Sequence, residues 1–226
     1  MLLLGCASAP DDGAIVVFAA SSLTDAFTEL KADFERAHHH ADVRLVFAGS
    51  QVLRLQIEQG ARADVVATAD ETHLAALHEA GLVDAPRGFA HNELVVIVPP
   101  DSSIHRFDDL PEAERLVVGT ESVPVGRYAR EVIARSDFGD ALRARIVSEE
   151  PNARLVRAKV QLGEADAAFV YRTDVDARVR AVEIPAAINA RATYGIARTT
   201  PRGEAWIAHL ASERGQTILR RHGFAP

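Results

Sequence analysis

Apolar runs and helix-period segments alternate along this chain from about residue 14 onward. Ala14-Ile15-Val16-Val17-Phe18 is a continuous apolar run, as a strand buried on both faces requires. Past Ala19-Ala20-Ser21-Ser22, the residues Leu23, Phe27, Leu30 and Phe34 recur at helical spacing, and Ser22 with Asp25 reads as a capping box at that helix start. Residues 43–47 predict the next strand. Ala48-Gly49-Ser50 turns it into a short helix carrying Leu53 and Ile57 and closing at Gly60. Residues 64–68 read as a third strand, after which Asp70 caps a helix with Leu74 and Leu77 that stops at Gly81. This β-α-β-α-β-α alternation implies a mostly parallel sheet covered by helices on both faces.

Residues 93–98, ahead of Pro99-Pro100, form the strongest strand pattern of the middle of the chain. The alternation then restarts. Strands are predicted at 116–119, 146–147, 166–171, 182–184 and 194–197, with helices at 124–135 and 152–162. The tail carries two helical stretches, 204–211 and 216–221. Two successive α/β units without a low-complexity linker predict two lobes joined by crossing strands. Residues 14–90 with 196–226 would form the first lobe and 91–195 the second, after a tether at 1–13. In open parallel sheets, ligands sit where strands end and helices begin, so the turns hold the candidate chemistry.

The chain has 226 residues, 48% of them hydrophobic, which supplies a sizeable core. Its formal net charge of −7 argues against a nucleic-acid surface. Cys6 is the one cysteine, so no internal disulfide exists. It ends the short apolar run Leu3-Leu4-Gly5-Cys6 and precedes small and polar residues, Ala7-Ser8-Ala9-Pro10-Asp11-Asp12-Gly13. That run is too short to span a bilayer and resembles the cleavage box of bacterial lipoproteins, which predicts lipidation at Cys6 and an extracytoplasmic, lipid-anchored protein.

Ser21-Ser22 lies between the first strand and first helix, Ser50 at the junction after the second strand, and Pro124-Val125-Gly126 at a helix start in the second unit. A helix start leaves backbone N–H groups unpaired and carries partial positive charge, so with a capping hydroxyl it holds an anion without a formal positive charge. Each serine taken alone is an ordinary N-cap, contributing about 1 kcal/mol. Their succession at junctions of one unit points instead to a cage of neutral donors. Such a cage suits a fully ionised dianion and offers no acceptor to a protonated acid.

Several segments, in order, resemble the periplasmic molybdate-binding proteins of ABC importers: Phe18-Ala19-Ala20-Ser21-Ser22-Leu23-Thr24-Asp25-Ala26, Phe47-Ala48-Gly49-Ser50, Gln56-Ile57-Glu58-Gln59-Gly60-Ala61, Val123-Pro124-Val125-Gly126, and Gly163-Glu164-Ala165-Asp166-Ala167-Ala168-Phe169-Val170-Tyr171. The closing Arg221-His222-Gly223-Phe224 is similar as well. The resemblance implies a two-lobed α/β fold of the periplasmic-binding-protein kind with molybdate or tungstate in the cleft, no catalysis, no cofactor and no metal cation. It also implies permease and ATPase partners, and we expect a monomer. Carried onto this chain, the hydroxyl ligands are Ser22, Ser50 and Tyr171, and the amide donors are the backbone N–H groups of Ser22, Ser50, Val125 and Ala153.

Two positions depart from the family's pattern. Gln51 stands where members often carry a second serine, which would alter the pocket. Arg127 follows Gly126 where an uncharged residue is expected, and either pairs with a surface carboxylate or adds a full charge to the cleft. His38-His39-His40 does not read as a metal site, because consecutive helical side chains point about 100° apart. His73 and His78 miss the i,i+4 spacing. No Gly-x-Ser-x-Gly elbow surrounds Ser22 or Ser50. The alternatives left open are a binder of sulfate, phosphate or an organic acid, the effector domain of a regulator, and a hydrolase.

Overall fold

The computed structural model describes residues 13–39 and 41–226; Cys6 with its flanking run, and His40, lie outside the described residues. The elements in chain order begin with β1 (Ile15–Ala20), α1 (Thr24–Ala37), β2 (Val43–Ala48), α2 (Ser50–Glu58), β3 (Val65–Thr68) and α3 (Thr72–Glu79). Then come β4 (Arg87–Val98), β5 (Leu116–Gly119), α4 (Pro124–Arg135), α5 (Gly139–Ala144), β6 (Ile146–Glu150), α6 (Ala153–Gln161) and β7 (Ala167–Tyr171). The chain closes with β8 (Arg180–Glu183), β9 (Arg191–Arg198), α7 (Glu204–Ala211) and α8 (Glu213–Arg221).

The fold is α/β and two-lobed. In one sheet β2, β1 and β3 run parallel, and β9 then β4 continue it antiparallel. In the other, β6, β5 and β7 are parallel, and β4 joins β7 antiparallel with β8 on its far side. Strand β4 serves both: residues Arg87 to Glu93 pair with β9, and Leu94 to Val98 pair with β7 and β8. Its length exceeds the sequence expectation, because the segment 87–92 alternates exposed and buried residues and lacks the apolar run that marks 94–98.

Why the strands read as unbroken apolar runs is visible in the packing. On β1, Val17 and Ala19 join the core shared with α1 and α7, whereas Phe18 faces Leu53, Ile57, Leu74 and Leu77 of α2 and α3. On β7, Phe169 and Tyr171 face the main core, while Ala168 and Val170 meet Val156 and Val160 of α6. Both faces are covered, so neither can be polar. Side chains of this size bury about 1.5–3 kcal/mol each.

Two local expectations are corrected. The capping box at Ser22 does not form: Ser21–Leu23 make a 3-10 turn, α1 starts at Thr24, and no side chain caps it. The Ser22 hydroxyl is engaged elsewhere. The segment 139–144, for which the sequence pattern predicts no element, is α5; its Gly139 seats against Ile133, where a Cβ would stand 2.2 Å from the carbonyl oxygen. By contrast, α4 and α7 occupy the spans their periodicity predicts.

Candidate functional site

Four helix starts meet at one small cavity. Ala20, Ser21 and Ser22 come from the β1–α1 junction, and Ala48, Gly49 and Ser50 from the β2–α2 junction. Val123, Pro124 and Val125 come from the start of α4, Asn152 and Ala153 from the start of α6. Ala69 and Tyr171, at the ends of β3 and β7, complete the wall. All five sequence-predicted site residues, Ser22, Ser50, Val125, Ala153 and Tyr171, therefore line one space. Among the described residues, no charged side chain lines it. Each helix start presents backbone N–H groups without intrahelical partners and the positive end of its dipole.

The local sequence explains how these starts come so close. Pro124 occupies the first turn of α4, where its missing N–H costs nothing. Gly126 lets that turn lie on β5, since a Cβ there would stand 2.1 Å from Thr120 O and 2.3 Å from Gly119 O. Gly49 does the same between the lobes: a Cβ would meet Pro151 O at 2.4 Å. Asn152 caps α6, its Oδ1 accepting from Leu155 N at 3.0 Å.

The hydroxyls are held in distinct ways. Ser50 Oγ accepts the Ala69 N–H at 3.2 Å, which leaves its own proton free to donate into the cavity. Ser22 Oγ lies 2.8 Å from Tyr194 Oη. Tyr171 is 1% exposed, and its Oη has no hydrogen-bond partner among the described residues. A buried unpaired hydroxyl costs about 1–3 kcal/mol, so its position at the cavity wall calls for a ligand. Burial pushes the phenols of Tyr171 and Tyr194 well above the ordinary tyrosine value, so both keep their protons at neutral pH.

A ring of polar contacts joins the lobes around the cavity. Gln51 Nε2 donates to Pro151 O at 2.9 Å. Arg127 Nη2 meets Asp70 Oδ2 at 2.7 Å, and His73 Nε2 lies 3.2 Å from Ser122 O. Arg154 donates from Nε to Ser21 O at 3.2 Å and from Nη2 to Asp25 Oδ2 at 2.6 Å, and its Nε also lies 3.4 Å from Asp174 Oδ1. Two sequence expectations change here. Gln51 does not alter the pocket wall; it bridges the lobes. Arg127 pairs neither with a surface carboxylate nor with the cavity, because its partner Asp70 is 1% exposed and Arg127 is absent from the lining. Asp70 also accepts the His73 N–H at 3.3 Å, as a cap for α3.

Burial holds the His73 imidazole below its usual value, against the upward pull of Asp70. Burial likewise raises the Asp174 carboxyl to about 6, against the lowering effects of Arg154 and Arg157. His38 stacks on Phe34 with ring centroids 4.2 Å apart, and His78 Nδ1 lies 3.1 Å from Val83 O. Sequence reasoning missed Tyr194, which reaches Ser22 from 172 positions away and carries no local motif. It also missed the Ala69 N–H, although the β3–α3 junction is the same kind of turn as the two before it.

Comparisons with known proteins agree with this geometry. The sequence profile of the bacterial extracellular solute-binding proteins matches residues 15–225. The molybdate-binding protein ModA of Mycobacterium tuberculosis is 36% identical over 230 residues, covering 96% of this chain and 87% of the relative. A Bacillus subtilis protein described as an ABC-transporter substrate-binding lipoprotein, YvgL, is 31% identical, with 99% and 93% covered. Among solved structures, the substrate-binding domain assigned to a molybdenum ABC transporter of Clostridium difficile superposes with a TM-score of 0.72 at 28% identity, with 93% of this chain and 97% of that one covered.

Proposed function

The chain belongs to the bacterial extracellular solute-binding proteins, and on that premise we propose that it captures molybdate or tungstate outside the cytoplasm for an ABC importer. The observation that carries the reading is the small cavity where four helix starts and the hydroxyl residues Ser22, Ser50 and Tyr171 converge, with no charged side chain in its lining among the described residues. Such a site binds a dianion through neutral donors. Ser22, Ser50 and Tyr171 donate through their hydroxyls, and Ser22, Ser50, Val125 and Ala153 through their backbone N–H groups. An oxyanion smaller than the cage leaves donors unpaired, at about 1–3 kcal/mol each, which disfavours sulfate.

The same reading makes the protein a non-catalytic monomer that delivers its anion to permease and ATPase subunits. Lipidation at Cys6 would anchor it to the membrane, in keeping with the lipoprotein description of the Bacillus subtilis relative. The lobes comprise 14–90 with 196–226, and 91–195. The exchange of partners along β4 supports a crossing near the first of these limits.

Calorimetry of the purified protein with molybdate, tungstate, sulfate and phosphate at neutral pH tests the reading. Tight binding of the first two, with Ser50→Ala weakening it roughly tenfold to a hundredfold, is the expected outcome. Silence with both molybdate and tungstate sinks the function. An unaltered affinity in Ser50→Ala sinks the site assignment alone.

A further inference from the structure

Among the glycines of the described residues, Gly49 is the one whose Cβ would collide with backbone on the other side of the cleft. It is the single residue between β2 and α2, while the atom that it faces, Pro151 O, lies between β6 and α6. The glycine is not there for its backbone: φ −66° and ψ 145° are open to any residue, and serine caps a helix at least as well. The demand is one of space. A Cβ would stand 2.4 Å from Pro151 O, where real contacts do not fall below 3.0 Å. It would also stand 2.5 and 2.7 Å from Gln51 Oε1 and Nε2, but those belong to the far end of a flexible side chain that can turn away.

Both sides of the contact are stiff. Gly49 O accepts the N–H groups of Val52 and Leu53 at 2.9 and 3.1 Å, in the first turn of α2. Before Pro151, Glu150 O accepts the Thr120 N–H at 2.9 Å; after it, Asn152 caps α6. The ring of Pro151 fixes its own φ. The contact also sits next to the donors, since Ser50 follows Gly49 directly and Ala153 comes two residues after Pro151. The approach of Gly49 to Pro151 O therefore sets the distance between the Ser50 donors of one lobe and the Ala153 N–H of the other. Gln51 Nε2, donating to Pro151 O at 2.9 Å, holds the two sides at that distance.

Resting on the oxyanion reading of this cavity, we propose that Gly49 is a specificity-determining residue: its bare Cα against Pro151 O is the stop that sets the width of the cage, and with it the size of oxyanion that meets donors from both lobes. A side chain there parts the lobes by at least about 0.6 Å at this point, the shortfall of 2.4 Å from 3.0 Å. Hydrogen bonds to oxygen hold over only roughly 2.7–3.2 Å, so a donor placed for one anion is carried out of range. An oxyanion that spans the wild-type cage then loses a donor. A smaller one, which already leaves donors unpaired, has less to lose. The plain alternative is a glycine that only makes room for its neighbour Gln51 within one lobe.

Calorimetry of the purified protein separates the two. Gly49→Ala and Gly49→Ser are each expected to bind molybdate at least about tenfold more weakly. Sulfate, read by its displacement of molybdate, is expected to lose less than about threefold, so the preference for molybdate narrows. Ligand-free Gly49→Ser is expected to melt no lower than wild type, because parted lobes have room for it and serine is the better cap. Removing the amide discriminates further. In the Gly49→Ala, Gln51→Ala double variant the obstructing carbonyl remains, so binding should stay as far below Gln51→Ala as Gly49→Ala is below wild type. Four results overturn the stop while leaving the function standing: wild-type molybdate affinity in either Gly49 variant, recovery in the double variant, an unchanged molybdate-to-sulfate ratio, or a much lower ligand-free melt of Gly49→Ser. Failure of the wild-type protein to bind molybdate overturns the function itself, and the stop with it.

Discussion

Tyr171→Phe separates what the site costs the fold from what it contributes to binding. The Tyr171 hydroxyl is buried without a partner among the described residues, at the wall of the cavity. Such a group destabilises the ligand-free protein by about 1–3 kcal/mol. Phenylalanine keeps the ring, whose edge-on packing with Tyr194 at 5.7 Å involves no oxygen, and removes that cost. For a chain of this size each kcal/mol moves the melting temperature by about 2–4 °C, so the ligand-free variant should melt a few degrees above wild type. With the anion bound, the same hydroxyl makes a hydrogen bond to a charged oxygen worth about 1.5–3 kcal/mol. Its loss should raise Kd about 10- to 150-fold. The two effects have opposite signs, which makes the test strict. Scanning fluorimetry without and with molybdate reads both, and calorimetry supplies the Kd. A variant that melts lower than wild type when ligand-free and binds molybdate equally well would refute the assignment of Tyr171 as a ligand.

Further outcomes follow from the groups around the cavity. Arg127→Ala removes the 2.7 Å pair that joins the lobes; Arg127 is 33% exposed, so the effect is well below that of a buried pair, about 1 kcal/mol or a fivefold weaker Kd, read by calorimetry and by faster release in stopped flow. Asp174, raised to about 6 by burial, holds a proton in the fold at pH values where the unfolded chain has lost it above about 3.8. Its favourable contribution is therefore complete below about pH 3.8 and lost as pH rises through about 6, so Asp174→Asn should stabilise by up to about 3 kcal/mol at pH 7.5 and by nothing near pH 3.5. Urea unfolding at the two pH values checks this, and an equal difference at both contradicts it.

Most of the elements were legible from periodicity, because the central strands β1, β3, β5 and β7 are covered on both faces and read as unbroken apolar runs. The four helix starts were legible for a related reason: each follows a strand or loop with a hydroxyl, a proline or an asparagine at the turn. The capping box was misread because Ser22 and Asp25 have the right local spacing, while both side chains are taken by distant partners, Tyr194 and Arg154. Tyr194 was invisible for the same reason. Its contact with Ser22 spans 172 positions, and nothing in a local window distinguishes it from an ordinary strand residue. The first half of β4 was missed because it is exposed on alternate positions and includes Gly88.

Gln51 and Arg127, the two departures from the expected pattern, acquire a common meaning once the lobes are in place. Neither wall of the cavity contains them, yet each reaches from one lobe to the other: Gln51 to the carbonyl ahead of α6, Arg127 to the carboxylate ahead of α3. Arg154 makes a third such link, to Ser21 O and Asp25. A cavity of neutral donors gains little from closing until the anion is inside, because the donors of the two lobes only add up when they share an acceptor. Contacts outside the cavity contribute to the closed form whether or not the anion is present. Their strength therefore sets how much of the intrinsic affinity is spent on closure. Binding strength and anion choice are then carried by different residues: the hydroxyls and helix starts choose, and Gln51, Arg127 and Arg154 adjust how tightly the lobes stay shut around what was chosen.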